Sequence, residues 1–176
     1  MVTIRAEILS DVTPREALLD RAFGRARQRK TSQRFRDGRL AAEGLAFTAV
    51  STSGRVIGTL RMWNIIAGSA GQSLLLGPLA VDSRNQGRGI GTKMMDHALN
   101  MAKVLGYASV LLVGDEPYYS RFGFTRSVVE DLNLPGPVDR DRFLGRELIA
   151  GALDGAEGLV TASGILAPKI GATAAA

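Results

Sequence analysis

The stretch SRNQGRGIGTKMM, residues 83–95, has glycines at three alternate positions, Gly87, Gly89 and Gly91, directly ahead of helix-forming residues. Glycine weakens a helix start, so such a run is expected where the backbone must approach another molecule closely. The unpaired N–H groups and partial positive charge at a helix start attract anions. The stretch therefore predicts that the backbone N–H groups of residues 87–92 face a pyrophosphate.

Two other phosphate-binding motifs do not fit this stretch. A dinucleotide fingerprint has the spacing G-x-G-x-x-G after the first strand of its domain. Here the spacing is G-x-G-x-G, and roughly eighty residues precede it. The P-loop of NTPases needs a lysine followed by Ser or Thr, whereas Lys93 follows Thr92. A tight turn between strand and helix would require fewer glycines.

The apolar run before this stretch, SLLLGPLAV (residues 73–81), is typical of a central strand because its side chains are apolar on both faces. Pro78 has no N–H to give to a neighbouring strand, so it predicts a bulge together with the glycine before it. A bulge would part this strand from the next one, ASVLLV (residues 108–113), and leave backbone groups of Leu79 and Val81 free. An elongated ligand with amide groups could pair with them as a missing strand would.

Length and composition limit the classes of protein to consider. The chain has 176 residues, of which 45% are hydrophobic and 22% charged, which predicts one globular domain with a substantial core. It contains no cysteine and a single histidine, His97. This excludes disulfides, thiol nucleophiles and thiolate or multi-histidine metal sites, and we expect no bound metal. A structural role is expected for His97.

Charge and hydropathy indicate where the protein acts and on what. The net charge of +5 favours anionic partners. Eight of the 22 basic residues lie between Arg21 and Arg39, which indicates either a solvated face or a binding surface. The first residues lack the layout of a signal peptide, and the longest apolar run, within residues 74–81, is far below the ~20 residues of a membrane span. A cytoplasmic protein is expected.

The remaining elements follow from capping residues and periodicity. Thr13 followed by Pro14 predicts a helix that ends near Gly24, and a second short helix is predicted over residues 32–39. An amphipathic helix is expected over residues 91–105. Further strands and a short helix opening at a proline complete an α/β or α+β order without repeats or linkers; these segments are residues 2–9, 45–52, 55–63, 117–123, 142–149 and 158–166.

Two motifs resemble one family. Gln86, Gly89 and Gly91, following LGPLAV and opening a helix, resemble the acyl-coenzyme A signature of the GNAT (Gcn5-related) N-acetyltransferases. PYYSRFGF, residues 117–124, is similar to the second hallmark of that family, a tyrosine four residues before Gly-Phe. The resemblance covers residues 45–124, and the wider pattern resembles the YhbS-like predicted acetyltransferases, whose substrates are mostly undefined.

The resemblance implies a fold and a cosubstrate. The fold is a mixed central sheet of about seven strands, splayed between the fourth and fifth, with helices on both faces. A single GNAT domain would span residues 1–168, and residues 169–176 would form a disordered tail. Acetyl-CoA would place its pyrophosphate on residues 86–92 and its pantetheine arm along residues 79–81. The cofactor-binding residues so implied are Leu79, Ala80, Val81, Gln86, Gly87, Arg88, Gly89, Ile90, Gly91, Thr92 and Tyr119.

The resemblance also implies catalytic roles in the transfer of an acetyl group from acetyl-CoA to a primary amine. A free backbone N–H of Leu79 or Ala80 would stabilise the oxyanion. Tyr119 would be the general acid that protonates the departing thiolate, because it stands four residues before Gly123. Tyr118 points about 100° away on the same helix and is the weaker candidate.

The base that deprotonates the amine is less defined. Many relatives use a glutamate on the central strand, and residues 73–81 contain none. Asp115 and Glu116 are the candidates, with capping of the following helix as their alternative role. Many relatives also have an asparagine near this strand end, where Gly114 and Asp115 stand here.

Two rival functions remain open. The missing strand glutamate is compatible with a catalytically idle acyl-CoA-binding regulatory protein. The basic segment 21–39 suggests a nucleic-acid-binding module, although it lacks interleaved aromatic residues and that function would leave both motifs unexplained. The acceptor is an unidentified small molecule or protein, polar or anionic, and a homodimer is compatible with the sequence.

Overall fold

The structure, a computed structural model, describes residues 1–169 as a mixed sheet with helices on both faces. The predicted disordered tail lies outside the described residues except for Lys169. The described strands are β1 Thr3–Ala6, β2 Ala46–Val50, β3 Val56–Ala67, β4 Gln72–Val81, β5 Ser109–Val113, β6 Asp131–Asn133, β7 Phe143–Glu147 and β8 Glu157–Ala162. The α-helices are α1 Val12–Phe23, α2 Ile90–Val104 and α3 Glu116–Tyr119.

The sheet has the order β1-β2-β3-β4-β5-β7, and β8 pairs with both β3 and β6. All pairs are antiparallel except β4 with β5 and β6 with β8. The eighth strand, beyond the seven expected, is explained by β6, because three residues are too few to show an alternating pattern. No helix among residues 1–169 is long and apolar enough to cross a membrane.

The strands β4 and β5 separate after a short paired stretch. Their register includes only Leu74 with Val110 and Leu75 with Leu111. On the other edge of β4, the register with β3 shifts between Leu76 and Leu79, so that one extra residue is accommodated at residues 77–78. The predicted bulge at the proline and the splay between the fourth and fifth strands are therefore confirmed.

Neighbouring residues of the central strands face opposite sides of the sheet and pack against different helices. Leu74 and Leu76 belong to the cluster that includes Met94 and Ala98 of α2. Leu79 and Val81 pack against the same cluster, whereas Ala80 packs with Leu18 and Leu19 of α1. The end of β4 is thereby held from both sides, and its edge toward β5 is left open.

Two predicted helices differ in the structure. The N-cap of α1 is Asp11, with no capping hydrogen bond from its side chain, so Thr13 lies inside the helix. Residues 32–39 form no α-helix; the region consists of two 3-10 segments, Arg25–Arg29 and Thr31–Phe35. Tertiary contacts explain this, because the Arg34 guanidinium and the Thr31 hydroxyl donate to carbonyls of the loop 135–137.

Phe35 anchors the segment 25–36 to the body of the protein. Its side chain is 1% exposed and packs in a cluster with residues of β3, β4, β6 and β8. The members of this cluster on those strands are Trp63, Ile65, Ala67, Leu75, Leu132 and Val160. The anchor holds the basic segment beside the splayed strands.

Candidate active site at the splayed strands

A cavity of about 790 Å³ opens between the end of β4, the start of α2 and α3. We call it the glycine-side cavity. Its lining residues are Leu79, Val81, Asn85, Gln86, Gly87, Gly89, Ile90, Gly91, Thr92, Asp115, Tyr118, Tyr119 and Arg121. The predicted phosphate-binding stretch and the predicted open edge of β4 therefore line one cavity.

The glycines of this stretch serve two different purposes. Gly87 and Gly89 have φ angles of 74° and 72°, a left-handed conformation that other residues rarely adopt, and a Cβ atom on either would meet no atom within 4 Å. Gly89 is the N-cap of α2, and within the described part of the chain no side chain caps this helix. Gly91 is needed for space, because a Cβ atom there would lie 2.8 Å from the Tyr118 hydroxyl. The first turn of α2 thus presents uncapped N–H groups to an open cavity.

The turn between β4 and α2 is fixed by Asp82. This buried carboxylate accepts hydrogen bonds from the backbone N–H of Arg84 at 3.0 Å and from its guanidinium at 2.9 and 3.1 Å. These hydrogen bonds from Arg84 lower the pKa of Asp82 to about 2. The carboxylate is therefore charged at neutral pH, and the turn leads into the glycine stretch in one fixed direction.

Tyr119 is one of the residues that line this cavity, and aromatic contacts hold its ring. Its ring forms edge contacts with the rings of Tyr118 and Phe124, at centroid distances of 4.9 and 6.1 Å. Burial, chiefly, raises the pKa of Tyr119 to about 12. Gly123 then ends the turn with a φ of 81°, as the sequence predicted. The phenol is therefore protonated at every pH at which enzymes usually work.

A second cavity, of about 200 Å³, lies between the splayed strands and the segment 25–36. We call it the arginine-side cavity. It is lined by Phe23, Arg27, Lys30, Ser32, Gln33, Arg36, Leu76, Gly77, Pro78, Leu79, Val113, Gly114, Asp115, Tyr119 and Arg142. Three of these residues also line the glycine-side cavity: Leu79, Asp115 and Tyr119. They mark the junction where molecules in the two cavities would meet.

Not every predicted site residue lines one of these two cavities. Ala80 and Arg88 do not line the glycine-side cavity. Glu116 lines neither cavity, whereas Asp115 lines both, with its carboxylate exposed and 3.3 Å from Nε of Arg142. His97 also lies outside both, with its ring in edge contact with a phenylalanine. Among residues 1–169 no group of three or more potential metal ligands is close enough to hold an ion.

Sequence reasoning missed two lining residues of the glycine-side cavity, Asn85 and Arg121. The Arg121 guanidinium lies 4.2 Å from the centre of the Tyr118 ring, and its Nε donates to the Tyr118 carbonyl at 3.1 Å. A basic residue one helical turn after an aromatic one could have indicated this stacking.

Comparison with known proteins places this geometry in a family. Residues 42–126 match the model of the acetyltransferase (GNAT) domain. The uncharacterized N-acetyltransferase YhbS of Escherichia coli (strain K12) is 33% identical over 158 residues, which cover 89% of this chain and 93% of that protein. The chain belongs to the GNAT acetyltransferase family. It is by this membership an acyltransferase.

Solved structures of GNAT proteins have the same architecture. The crystal structure of the GNAT family N-acetyltransferase YhbS from Escherichia coli in complex with CoA superposes with a TM-score of 0.78 at 32% identity, covering 92% of this chain and 89% of that one. A GNAT family acetyltransferase from Brucella melitensis in complex with acetyl-CoA gives a TM-score of 0.67 at 24% identity, covering 93% and 96%. The predicted GNAT fold is confirmed.

The two cavities differ in how many of their lining residues fall within the match to the GNAT family model. Every residue that lines the glycine-side cavity lies within the matched residues 42–126. The basic residues that line the arginine-side cavity all lie outside them: Arg27, Lys30, Arg36 and Arg142. The basic residues of the arginine-side cavity therefore come from parts of the chain that the family model does not describe.

Gly114 stands near the place where many GNAT relatives have an asparagine, and its close contact with Tyr119 explains this difference. The same contact leads to a prediction. A Cβ atom on Gly114 would lie 2.2 Å from a ring carbon of Tyr119. Because this ring must move to admit a methyl group, Gly114→Ala is expected to lower kcat by about 10- to 100-fold, the scale of a misplaced reacting group. Steady-state kinetics with acetyl-CoA measures this effect.

Two controls test whether Gly114 acts through Tyr119. Gly164→Ala is the matched substitution, because its nearest atom would lie at an ordinary 3.4 Å, and kcat should not change. The double variant Gly114→Ala/Tyr119→Phe should be no slower than Tyr119→Phe alone. Full additivity of the two losses would show that Gly114 acts in another way.

Proposed function

We propose that this protein transfers the acetyl group of acetyl-CoA to a primary amine by direct attack within a ternary complex. The observation that carries the proposal is the junction of the two cavities at Leu79, Asp115 and Tyr119. A coenzyme on one side and an amine on the other would bring the thioester and the nucleophile together there. The chain has no cysteine, so no thiol can carry the acetyl group between two half-reactions.

The glycine-side cavity fits the coenzyme in size and chemistry. The left-handed Gly87 and Gly89 leave open space beside the uncapped start of α2, where a pyrophosphate could accept from backbone N–H groups. The open edge of β4 at residues 79–81 would pair with the amides of the pantetheine arm. The complexes of the Escherichia coli and Brucella melitensis relatives with CoA and acetyl-CoA support this assignment.

Two groups of the chain would act on the thioester. The backbone N–H of Leu79 donates to the carbonyl oxygen of the thioester as it becomes an oxyanion. The phenol of Tyr119 gives its proton to the departing thiolate as general acid. Burial raises the pKa of this phenol. Burial at the same place would likewise raise the pKa of the CoA thiol.

Asp115 is the proposed base. An alkylammonium with a pKa near ~10.4 must lose a proton before it can attack a carbonyl. Asp115 is the carboxylate that lines both cavities, and its exposed position allows it to act directly or through water. Asp115→Asn is therefore expected to lower the rate. Glu116 lines neither cavity.

The test is release of free CoA thiol from acetyl-CoA in the presence of a panel of amines, amino acids and peptides. Acetyl transfer predicts release that depends on the acceptor, together with an acetylated product seen by mass spectrometry, and a lower rate for Asp115→Asn. Calorimetric binding of CoA without release for any acceptor would instead identify an acyl-CoA-binding regulatory protein. Salt-sensitive binding of nucleic acid without CoA binding would contradict both.

A further inference from the structure

The arginine-side cavity has an excess of positive charge. Four basic side chains line it, against the single carboxylate of Asp115. Two of the four have acidic partners. The Arg27 guanidinium contacts Glu16 and Asp20 at 2.5 and 3.0 Å, and Arg142 contacts Asp115.

The other two basic residues, Arg36 and Lys30, form no ion pair with any residue among 1–169. Nε of Arg36 is buried, and no hydrogen-bond acceptor reaches it within the described part of the chain. Lys30 has only a stacking contact, with its ammonium 5.4 Å from the centre of the Phe23 ring. Lys30 is exposed, but a buried cation without a partner, such as Arg36, is costly unless an anion joins it.

The neighbours of Arg36 add to this cost. Burial first, and then the like charges of Arg27 and Arg61, lower the pKa of Arg36 to about 10. A group with this pKa is still protonated at neutral pH. Its guanidinium is therefore a buried cation that Arg27 and Arg61 repel, and the smaller attraction of Asp37 does not offset this repulsion.

Arg36 also lies close to the strand that leads to the junction. A Cβ atom on Gly77 would lie 3.2 Å from Nη2 of Arg36, so the guanidinium contacts the strand at the bulge. Leu79, the proposed oxyanion donor, follows two residues later and is therefore at most roughly 7 Å away along the chain. A molecule that reaches from Arg36 to the junction would form a contact of ~2.9 Å at each end. Only a few bonds could then separate its anionic group from its amine.

We propose that the acetyl acceptor is a small amino acid or related amine with a carboxylate a few bonds away, and that Arg36 binds this carboxylate. This inference rests on the proposed acetyl transfer. Guanidinium and carboxylate form paired hydrogen bonds, so Arg36 would hold the acceptor with its amine toward Asp115 and Tyr119. The cavity volume of about 200 Å³ is below that of pockets for drug-sized ligands and suits a molecule of this size.

The first test compares acceptors of equal shape on the wild-type protein. Amino acids should be acetylated with kcat/KM roughly 10- to 100-fold above that of their carboxamides, the scale of a lost charged hydrogen bond. Equal rates for both would overturn the proposal while leaving acetyl transfer intact. A preference for an aminophosphonate over the amino acid of equal length, or for peptides over free amino acids, would also overturn it.

The second test changes Arg36. Arg36→Gln should raise KM for the preferred amino acid by roughly 10- to 100-fold with little change in kcat, and Arg36→Lys should restore part of the affinity. Arg29→Gln is the matched control, since Arg29 belongs to the same segment, is exposed and lines neither cavity. A loss of thermal stability in Arg36→Gln with unchanged KM would make Arg36 a structural residue.

The third test needs no acetyl transfer. Trp63 is the only tryptophan of the chain, and its Nε1 donates to the Gly77 carbonyl at 2.7 Å, beside the Arg36 guanidinium. Amino acids should change the fluorescence of Trp63 in a saturable way in the presence of CoA, and carboxamides and Arg36→Gln should not show this change. If no acceptor is acetylated but this response is present, the proposed function fails and the carboxylate site stands; if the response is absent, the site fails.

Discussion

Tyr119→Phe is expected to lower kcat by about 10²- to 10⁴-fold, with the affinity for CoA nearly unchanged. The substitution removes the proton donor but keeps the ring, whose contacts with Tyr118 and Phe124 hold the turn in place. Single-turnover measurement of thiol release isolates the chemical step. Calorimetry with CoA measures the affinity.

Tyr118→Phe is the matched control. Tyr118 also lines the glycine-side cavity, but its hydroxyl lies beside Gly91 at the start of α2, away from the junction. Its loss should therefore have a much smaller effect on kcat. If Tyr118→Phe were the slow variant and Tyr119→Phe the active one, the assignment of the general acid would be wrong by one residue.

The raised pKa of Tyr119 leads to a prediction for the pH profile of kcat. A phenol with a pKa of about 12 keeps its proton as the pH rises from 7 to 10. Ionisation of Tyr119 should therefore cause no decline of kcat in the wild type over this range, while deprotonation of the amine should increase kcat/KM. A decline centred near pH 10 that is absent in Tyr119→Phe would show that the phenol titrates at its ordinary pKa.

Gly89→Asp is expected to weaken CoA binding by at least about 100-fold. The carboxylate would occupy the open space next to the uncapped N–H groups of α2 and repel the pyrophosphate, so that at least two charge-assisted hydrogen bonds are lost. Asp tolerates the left-handed conformation better than most residues, and a negative charge suits the start of a helix, so the variant should remain folded. Calorimetry with CoA measures the affinity.

Gly106→Asp supplies a closely matched control at the other end of α2. Gly106 has a φ of 84°, against 72° for Gly89, and a Cβ atom on either would meet no atom within 4 Å. Both variants carry similar backbone strain, yet only Gly89 lines the glycine-side cavity. Equal CoA affinities for the two variants would mean that the pyrophosphate binds elsewhere.

The sequence predicted the parts of this site that depend on the backbone. A proline within an apolar strand cannot complete the ladder, so the bulge and the splay followed from one residue, Pro78. Alternating glycines before an amphipathic helix likewise indicated where the backbone is accessible. The turn that carries Tyr119 was predicted because Pro117 and Gly123 mark its two ends.

The arginine-side cavity could not be predicted in the same way. Its shape depends on the 3-10 segments at residues 25–35, which are held by hydrogen bonds to carbonyls a hundred residues away. Local propensity carries no information about such contacts. Arg36 was one of eight basic residues in a segment compatible with a solvated face, and only the structure shows that its Nε is buried with no hydrogen-bond partner among residues 1–169.

Phe35 connects the chain ahead of the family match with the chain that follows it, so that substitutions in one part should affect which residues are tolerated in the other. It lies next to Arg36, ahead of residues 42–126, but belongs to the same buried cluster as Leu132 and Val160, which follow them. A substitution that reshapes the surroundings of these two side chains would shift Phe35 and with it the guanidinium at the bulge. We expect positions 35, 132 and 160 to covary among relatives that differ in acceptor, while the glycine stretch stays the same.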